Sequence, residues 1–212
     1  MAMAARSTPS RPWKIAIVGH SHVYRMDASA VNGNNFQLSN VETAFFSRGG
    51  LRVPNLFGAD ILQPLMAFEP DAVVFLVGDN DIQPFSAPQD ICDNILAAIE
   101  AIIPSCPSIR FVALSQILHS YPGTSLYLFD GYNDIAYRAN NLLLQSCIAS
   151  PILRFGFYPE FCFRDYDEDL FNKNSQFFLP DGVHLNQRGY KKLASRIKGL
   201  FIGLLSRLRG RV

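Results

Sequence analysis

The chain has no C-x-x-C pair, no apolar run of membrane-spanning length and no surplus of either charge, and each absence removes a class of function. Its four cysteines, Cys92, Cys106, Cys147 and Cys162, are scattered, so neither a structural zinc site nor a disulfide framework is expected. Reduced thiols in a cytoplasmic or otherwise intracellular protein are the simpler expectation. Without a long apolar stretch or a hydrophobic signal core near the N-terminus, no transmembrane segment and no secretory leader are predicted. Lys and Arg number 19 against 18 Asp and Glu, a net charge of +1, which gives no strong signal for nucleic acid or an acidic partner. No internal repeat is visible.

What is present suits a globular domain with a sizeable core: 212 residues, 49% of them hydrophobic and 17% charged. Residues 1–12, rich in Ala, Ser, Pro and Arg, read as a flexible lead-in, and residues 13–212 as one domain. Short apolar runs at 14–18, 41–46, 71–77, 110–114 and 152–155 read as strands. Helical patterns follow at 24–32, at about 55–66, at 88–103 and at 132–147, and the last runs from Gln187 to about Arg209. Five strands alternating with helices, each strand apolar on both faces, predict a three-layer α/β/α sandwich. Its sheet is parallel and five-stranded, in the flavodoxin-like order 2-1-3-4-5.

In such a sheet, the residues just past each strand line one rim, where ligands bind. The first strand runs into Gly19-His20-Ser21, placing a hydroxyl there. The second ends at Arg48-Gly49-Gly50, the third at Gly78-Asp79-Asn80-Asp81, and the fourth near His119. Before the last helix comes Asp181-Gly182-Val183-His184. At a spacing of three on a turn, the Asp181 carboxylate reaches the near ring nitrogen of His184, fixing its tautomer and leaving the far nitrogen to face Ser21. A glycine N–H after strand two, the Asn80 amide and the Ser21 N–H supply uncharged donors for an acyl oxygen. His20, His22, Asp79 and His119 are further candidates for the substrate rim.

These blocks, in this order, resemble the GDSL/SGNH hydrolase superfamily, and the likeness spans nearly the whole domain from Lys14 to the final helix. The resemblance implies a serine esterase with Ser21 as nucleophile, His184 as general base then acid, and Asp181 as the orienting carboxylate. It places the oxyanion donors on Ser21, on Gly49 or Gly50, and on the side chain of Asn80. Gly50 is favoured, as the glycine directly preceding the segment into the next helix. One departure stands out: the family's first block usually reads Gly-Asp-Ser, and here the middle residue is His20. Gly-x-Ser-x-Gly is also missing, since Val23 stands at the last glycine, which disfavours an α/β-hydrolase elbow.

Plainer readings exist for each piece. A serine after a strand is often a helix N-cap, an Asp-His pair before a helix can be capping, and Gly49-Gly50 and Asn80 can be turn residues. His20 and His22, two apart, lack further ligands for a metal, so no metal site is expected. Asp165-x-Asp167-x-Asp169 fails the calcium-loop pattern at Leu170 and at Gln176. The aromatics of 121–129 and 155–163 read first as loop anchors and second as an acyl pocket. The basic end of the last helix suits its C-terminal dipole. The expectation is hydrolysis of a carboxylic ester with a short, acetyl-type acyl group, without cofactor, on a small-molecule, lipid or glycan substrate. The contrasting expectation is a catalytically silent binding or assembly domain of a larger protein, such as one from a mobile genetic element.

Overall fold

The computed structural model describes residues 11–30, 38–120, 131–149 and 177–209. Strands β1 (Trp13–Gly19), β2 (Val41–Ser47), β3 (Ala72–Leu76) and β4 (Phe111–Leu114) form a parallel sheet in the order β2-β1-β3-β4. This is the expected order; the fifth strand expected at 152–155 lies outside the described residues. Among the described residues, five α-helices accompany it: α1 (Ser21–Ala30), α2 (Ala59–Phe68), α3 (Pro88–Ile102), α4 (Tyr132–Ala149) and α5 (Gln187–Arg209). Helix α1 packs against α5 and α3 against α4, so the parallel sheet is flanked by helices.

The topology itself creates a site. From β1 the chain crosses one way to β2, then returns past β1 to β3 and β4. Right-handed crossovers therefore put α1 and the later connecting helices on opposite faces, leaving a crevice beyond the carboxyl ends of β1 and β3. The three strands finish level there, with Gly19 opposite both Ser47 and Leu76.

The core follows the apolar runs. All of β3 is buried, as are Ala16, Ile17 and Val18 of β1, against Ile95 and Ile99 of α3 and Leu193 and Ile197 of α5. Two expectations are adjusted. Strand β2 is only partly covered, because it lies at a sheet edge and carries Glu42, Thr43 and Ser47. Helix α1 begins at Ser21 rather than Tyr24, because the His20 carbonyl accepts the amides of Val23 (3.0 Å) and Tyr24 (3.2 Å). The helix thus starts directly off the strand. Among the described residues, no helix is long and apolar enough to cross a membrane.

Candidate active site

The crevice is built on a glycine. A Cβ on Gly19 would sit 2.2 Å from the Leu76 carbonyl oxygen, so only glycine lets β1 and β3 close together where Ser21 begins. Ser21 is the first residue of α1, and its Oγ lies 3.2 Å from Nε2 of His184. His184 reaches it from a short loop ahead of α5. That loop is closed by the Leu179 amide on the His184 carbonyl (2.7 Å) and the Asn186 amide on the Phe177 carbonyl (2.8 Å). Asn186 then caps α5, its Oδ1 accepting the amides of Arg188 and Gly189.

Asp181 is pinned by the turn it makes. Its Oδ1 accepts the amides of Val183 (2.9 Å) and His184 (2.8 Å), and its Oδ2 lies 2.8 Å from His184 Nδ1. Burial pulls this carboxyl upward, but the His184 amide, the His184 ring and the Val183 amide outweigh it and hold it below the ordinary carboxylate range. An ionised Asp181 accepts the Nδ1 proton, which leaves Nε2 as an acceptor for the serine hydroxyl. Hydroxyl, imidazole and carboxylate therefore form one line of hydrogen bonds.

A second Asp-His pair lies on the other side of the serine. His20, 2% exposed, makes a 2.5 Å contact through Nε2 with Asp79 Oδ2. The other oxygen of Asp79 accepts the Leu118 amide at 3.2 Å, so one carboxylate ties the ends of β1, β3 and β4 together. Burial raises the Asp79 carboxyl, but the His20 charge and hydrogen bond, with His22 and its own amide, bring it below its usual value. His20 Nδ1 faces the His22 amide across a long 3.5 Å.

His22 is buried as well. It shares a 3.0 Å hydrogen bond through Nδ1 with Tyr190 Oη of α5, and its ring centre is 5.7 Å from that of His184. Burial lowers its pKa to about 3, helped by the charges of His20, His184 and Arg25 and opposed by Asp79, so the ring is neutral. Burial likewise pushes the Tyr190 hydroxyl well above the ordinary phenol range. The expected rim histidines thus belong to the scaffold beneath the serine: His20 and His22 do not line the opening. His119, partly buried, sits in the segment after β4, which is held by Asn140 to both the amide and carbonyl of Ile117 (2.9 Å each).

The opening itself is a cavity of about 480 Å³ whose wall includes Gly50, Arg52, Asp79, Asn80, Gln83 and His184. Gly50 is the third residue of a turn closed by the Leu51 amide on the Arg48 carbonyl, with φ +68°, where any side chain would be strained. Asn80 Nδ2 donates to the Leu51 carbonyl (3.0 Å), and Asp81 accepts the Val53 amide through both oxygens (3.1 and 3.2 Å). Two neighbouring side chains thus clamp the segment bearing Gly50. The second hydrogen of the Asn80 amide is left over for the cavity. Gly49, its Cβ position open to empty space, does not border the cavity wall.

Sequence reasoning paired Ser21, His184 and Asp181 but missed Tyr190 and Arg52, which no local pattern marks. The acidic run 165–169 and the aromatic stretches 121–129 and 155–163 lie outside the described residues. Among the described residues, no group of three His, Cys, Asp or Glu is placed to hold a metal ion, and Cys92, Cys106 and Cys147 are buried thiols outside any disulfide.

A family model described as GDSL-like Lipase/Acylhydrolase matches residues 13–197. No curated protein sequence matches the chain. Among solved structures, the chain is similar to one from Streptococcus pneumonia provisionally assigned as a platelet activating factor. That match has 19% identity and a TM-score of 0.68, covering 91% of this chain and 85% of that one. A GDSL-like lipase from Bacteroides thetaiotaomicron VPI-5482 matches at 16% identity and TM-score 0.62, over 90% and 88% of the two chains. A catalytic mutant of an acetylxylan esterase from Geobacillus stearothermophilus matches at 14% identity and TM-score 0.60, over 88% and 93%. At these identities the likeness is one of fold.

Proposed function

The chain belongs to the GDSL-like lipase and acylhydrolase family, and from that premise we propose that it is a serine esterase that cleaves a carboxylic ester through an acyl-enzyme on Ser21. One observation carries the reading: Ser21 Oγ is 3.2 Å from His184 Nε2, while Nδ1 of the same ring is 2.8 Å from Asp181. A serine hydroxyl is a weak nucleophile until a base within hydrogen-bond reach takes its proton, and a base needs its tautomer held by a third group.

In this mechanism Ser21 Oγ attacks the carbonyl carbon as its proton passes to His184 Nε2. The ionised Asp181 stabilises the imidazolium so formed. The negative oxygen of the tetrahedral intermediate takes hydrogen bonds from the Ser21 amide, the Gly50 amide and the Asn80 side chain. His184 returns the proton to the departing alkoxide, leaving an acyl-serine and a free alcohol. Water then repeats the sequence, deprotonated by His184, and releases the acid and the serine. The residues supply every proton transfer, so no cofactor enters. An acetyl-type acyl group is the substrate favoured by this reading, in line with the acetylxylan esterase among the similar folds.

The test is turnover of p-nitrophenyl acetate by the native protein beside Ser21→Ala and His184→Ala. Both substitutions should lower kcat by about a thousandfold or more. Covalent labelling by a fluorophosphonate probe should occur in the native protein and vanish in Ser21→Ala. Equal rates in all three proteins with no labelling would overturn the proposal in favour of a silent binding domain.

A further inference from the structure

The charges around the cavity are unequally engaged. Asp79 and Asp181 both border it, and both oxygens of each carboxylate are already engaged. Asp79 takes the His20 ring and the Leu118 amide; Asp181 takes the His184 ring and two backbone amides. Arg52 is the opposite case. It is exposed, and among the described residues it is the one Lys or Arg on the cavity wall and its guanidinium makes no hydrogen bond or ion pair. Arg48, four positions earlier on the same loop, is paired with Asp60 at 3.0 Å. Asp81, whose carboxyl is raised by burial and lowered in part by the Arg52 charge, turns both oxygens to the Val53 amide instead.

Its backbone is also unusually well anchored for a loop residue. The Leu51 carbonyl on one side is held by Asn80, and the Val53 amide on the other by Asp81. The guanidinium therefore swings from a root fixed two residues from the Gly50 amide, in a cavity whose carboxylates, Asp79 and Asp181, are each already hydrogen-bonded to other groups. We infer that Arg52 is a specificity residue and that the preferred substrate is an ester carrying a carboxylate, which the guanidinium grips while the ester carbonyl sits at Ser21. A planar fork of donors suits a carboxylate better than a point charge would, and charge-assisted bonds of this kind are the strong ones. The inference rests on the ester-hydrolase reading above and narrows its substrate class.

The carboxylate can belong to the acid or the alcohol half of the ester, and two matched pairs separate these. Monoethyl succinate against ethyl butanoate probes the acid half; 4-acetoxybenzoate against its methyl ester probes the alcohol half. In one pair, the native protein should favour the anionic member in kcat/KM by about tenfold, chiefly through KM. Raising the salt should erode the preference. Arg52→Gln should bring the ratio close to one, Arg52→Lys should keep part of it, and Arg48→Gln should leave it in place. No anionic preference in either pair, or a preference that survives Arg52→Gln, overturns the inference while the hydrolase reading stands. If no ester is cleaved and Ser21 takes no fluorophosphonate label, the hydrolase reading has failed and the inference falls with it.

Discussion

Two aspartate-histidine pairs flank one serine, and they differ in almost everything except their composition. His184 and Asp181 come from a single turn, three residues apart, and are 24% and 28% exposed. Their bond uses Nδ1, so Nε2 remains for Ser21. His20 and Asp79 come from the ends of two strands and are 2% and 13% exposed. Their bond uses Nε2, and Nδ1 turns to a backbone amide, so no nitrogen is left to meet a substrate. The difference shows what decides the task of such a pair. An exposed pair with a free nitrogen can pass a proton, whereas a buried pair with both nitrogens engaged can only hold its neighbours still.

Removing each histidine in turn should break the symmetry in opposite directions. His184→Ala should cost activity about a thousandfold or more while the urea midpoint barely moves, because the ring is partly exposed and its loss strands no buried charge. His20→Ala should lower stability by about 3 kcal/mol, since it leaves the Asp79 carboxylate buried without its partner. Part of the catalytic rate should survive, because Ser21, His184 and Asp181 all remain. Parallel kinetics and urea unfolding read both effects. A His20→Ala protein of native stability would mean that Asp79 finds water or another donor, and that the buried pair does not hold the strand ends together.

Much of this site was legible because its parts are local. The apolar runs of β1 and β3, the glycines that end them, and the Asp181-His184 spacing all follow from short-range rules, and even the ring nitrogen facing Asp181 was foreseeable. The pairs His20-Asp79 and His22-Tyr190 were not, because their members stand 59 and 168 positions apart and no periodicity links them. The departure from Gly-Asp-Ser was visible, but its resolution was not. His20, standing where that aspartate is usual, pairs with Asp79 of the third block. His22, expected on the rim, is turned inward because α1 starts three residues sooner than its composition indicates, and a helix beginning at Ser21 directs the next side chain toward α5.

That inward turn gives His22 a measurable signature. The unfolded chain binds a proton at this ring near its ordinary value of 6.5, while in the folded state burial defers the event to about 3. Between those values the unfolded state carries the extra proton, so falling pH favours unfolding. From pH 7.5 to 4.5 the contribution is about 3 kcal/mol. Asp81 acts in the opposite sense, since burial pushes its carboxyl up to about 6 and the folded state takes the proton first. The comparison must therefore be differential. His22→Phe cannot titrate and keeps the ring volume, while Asp81 is common to both proteins. It should start less stable at pH 7.5, having lost the Tyr190 bond, and lose about 3 kcal/mol less than the native protein on going to pH 4.5. Identical pH dependence in the two proteins would show that His22 titrates normally and is not sealed.

The smallest expected effect applies the same distinction, between holding and working, to the lip of the cavity. Gln83 and Pro84 border it, and the next residue, Phe85, is fully exposed with φ +68°. The Ser86 amide donates to the Gln83 carbonyl (3.0 Å), so Pro84 and Phe85 are the two central residues of a turn. A proline first and a positive φ second is the arrangement that favours glycine at the second place. A bulky side chain there carries strain of about 1–2 kcal/mol and, being exposed, returns none of it through burial. Phe85→Gly should release that strain, lose part of the gain to the looser unfolded chain, and stabilise the protein by about 1 kcal/mol. For a chain of this length that is a rise of a few degrees in the thermal midpoint. If the ring borders bound substrate, KM for p-nitrophenyl acetate should rise a few-fold in the same variant. A more stable protein with an unchanged KM would place Phe85 outside the substrate's reach, and a less stable one would mean that the ring is held by contacts the strain argument leaves out.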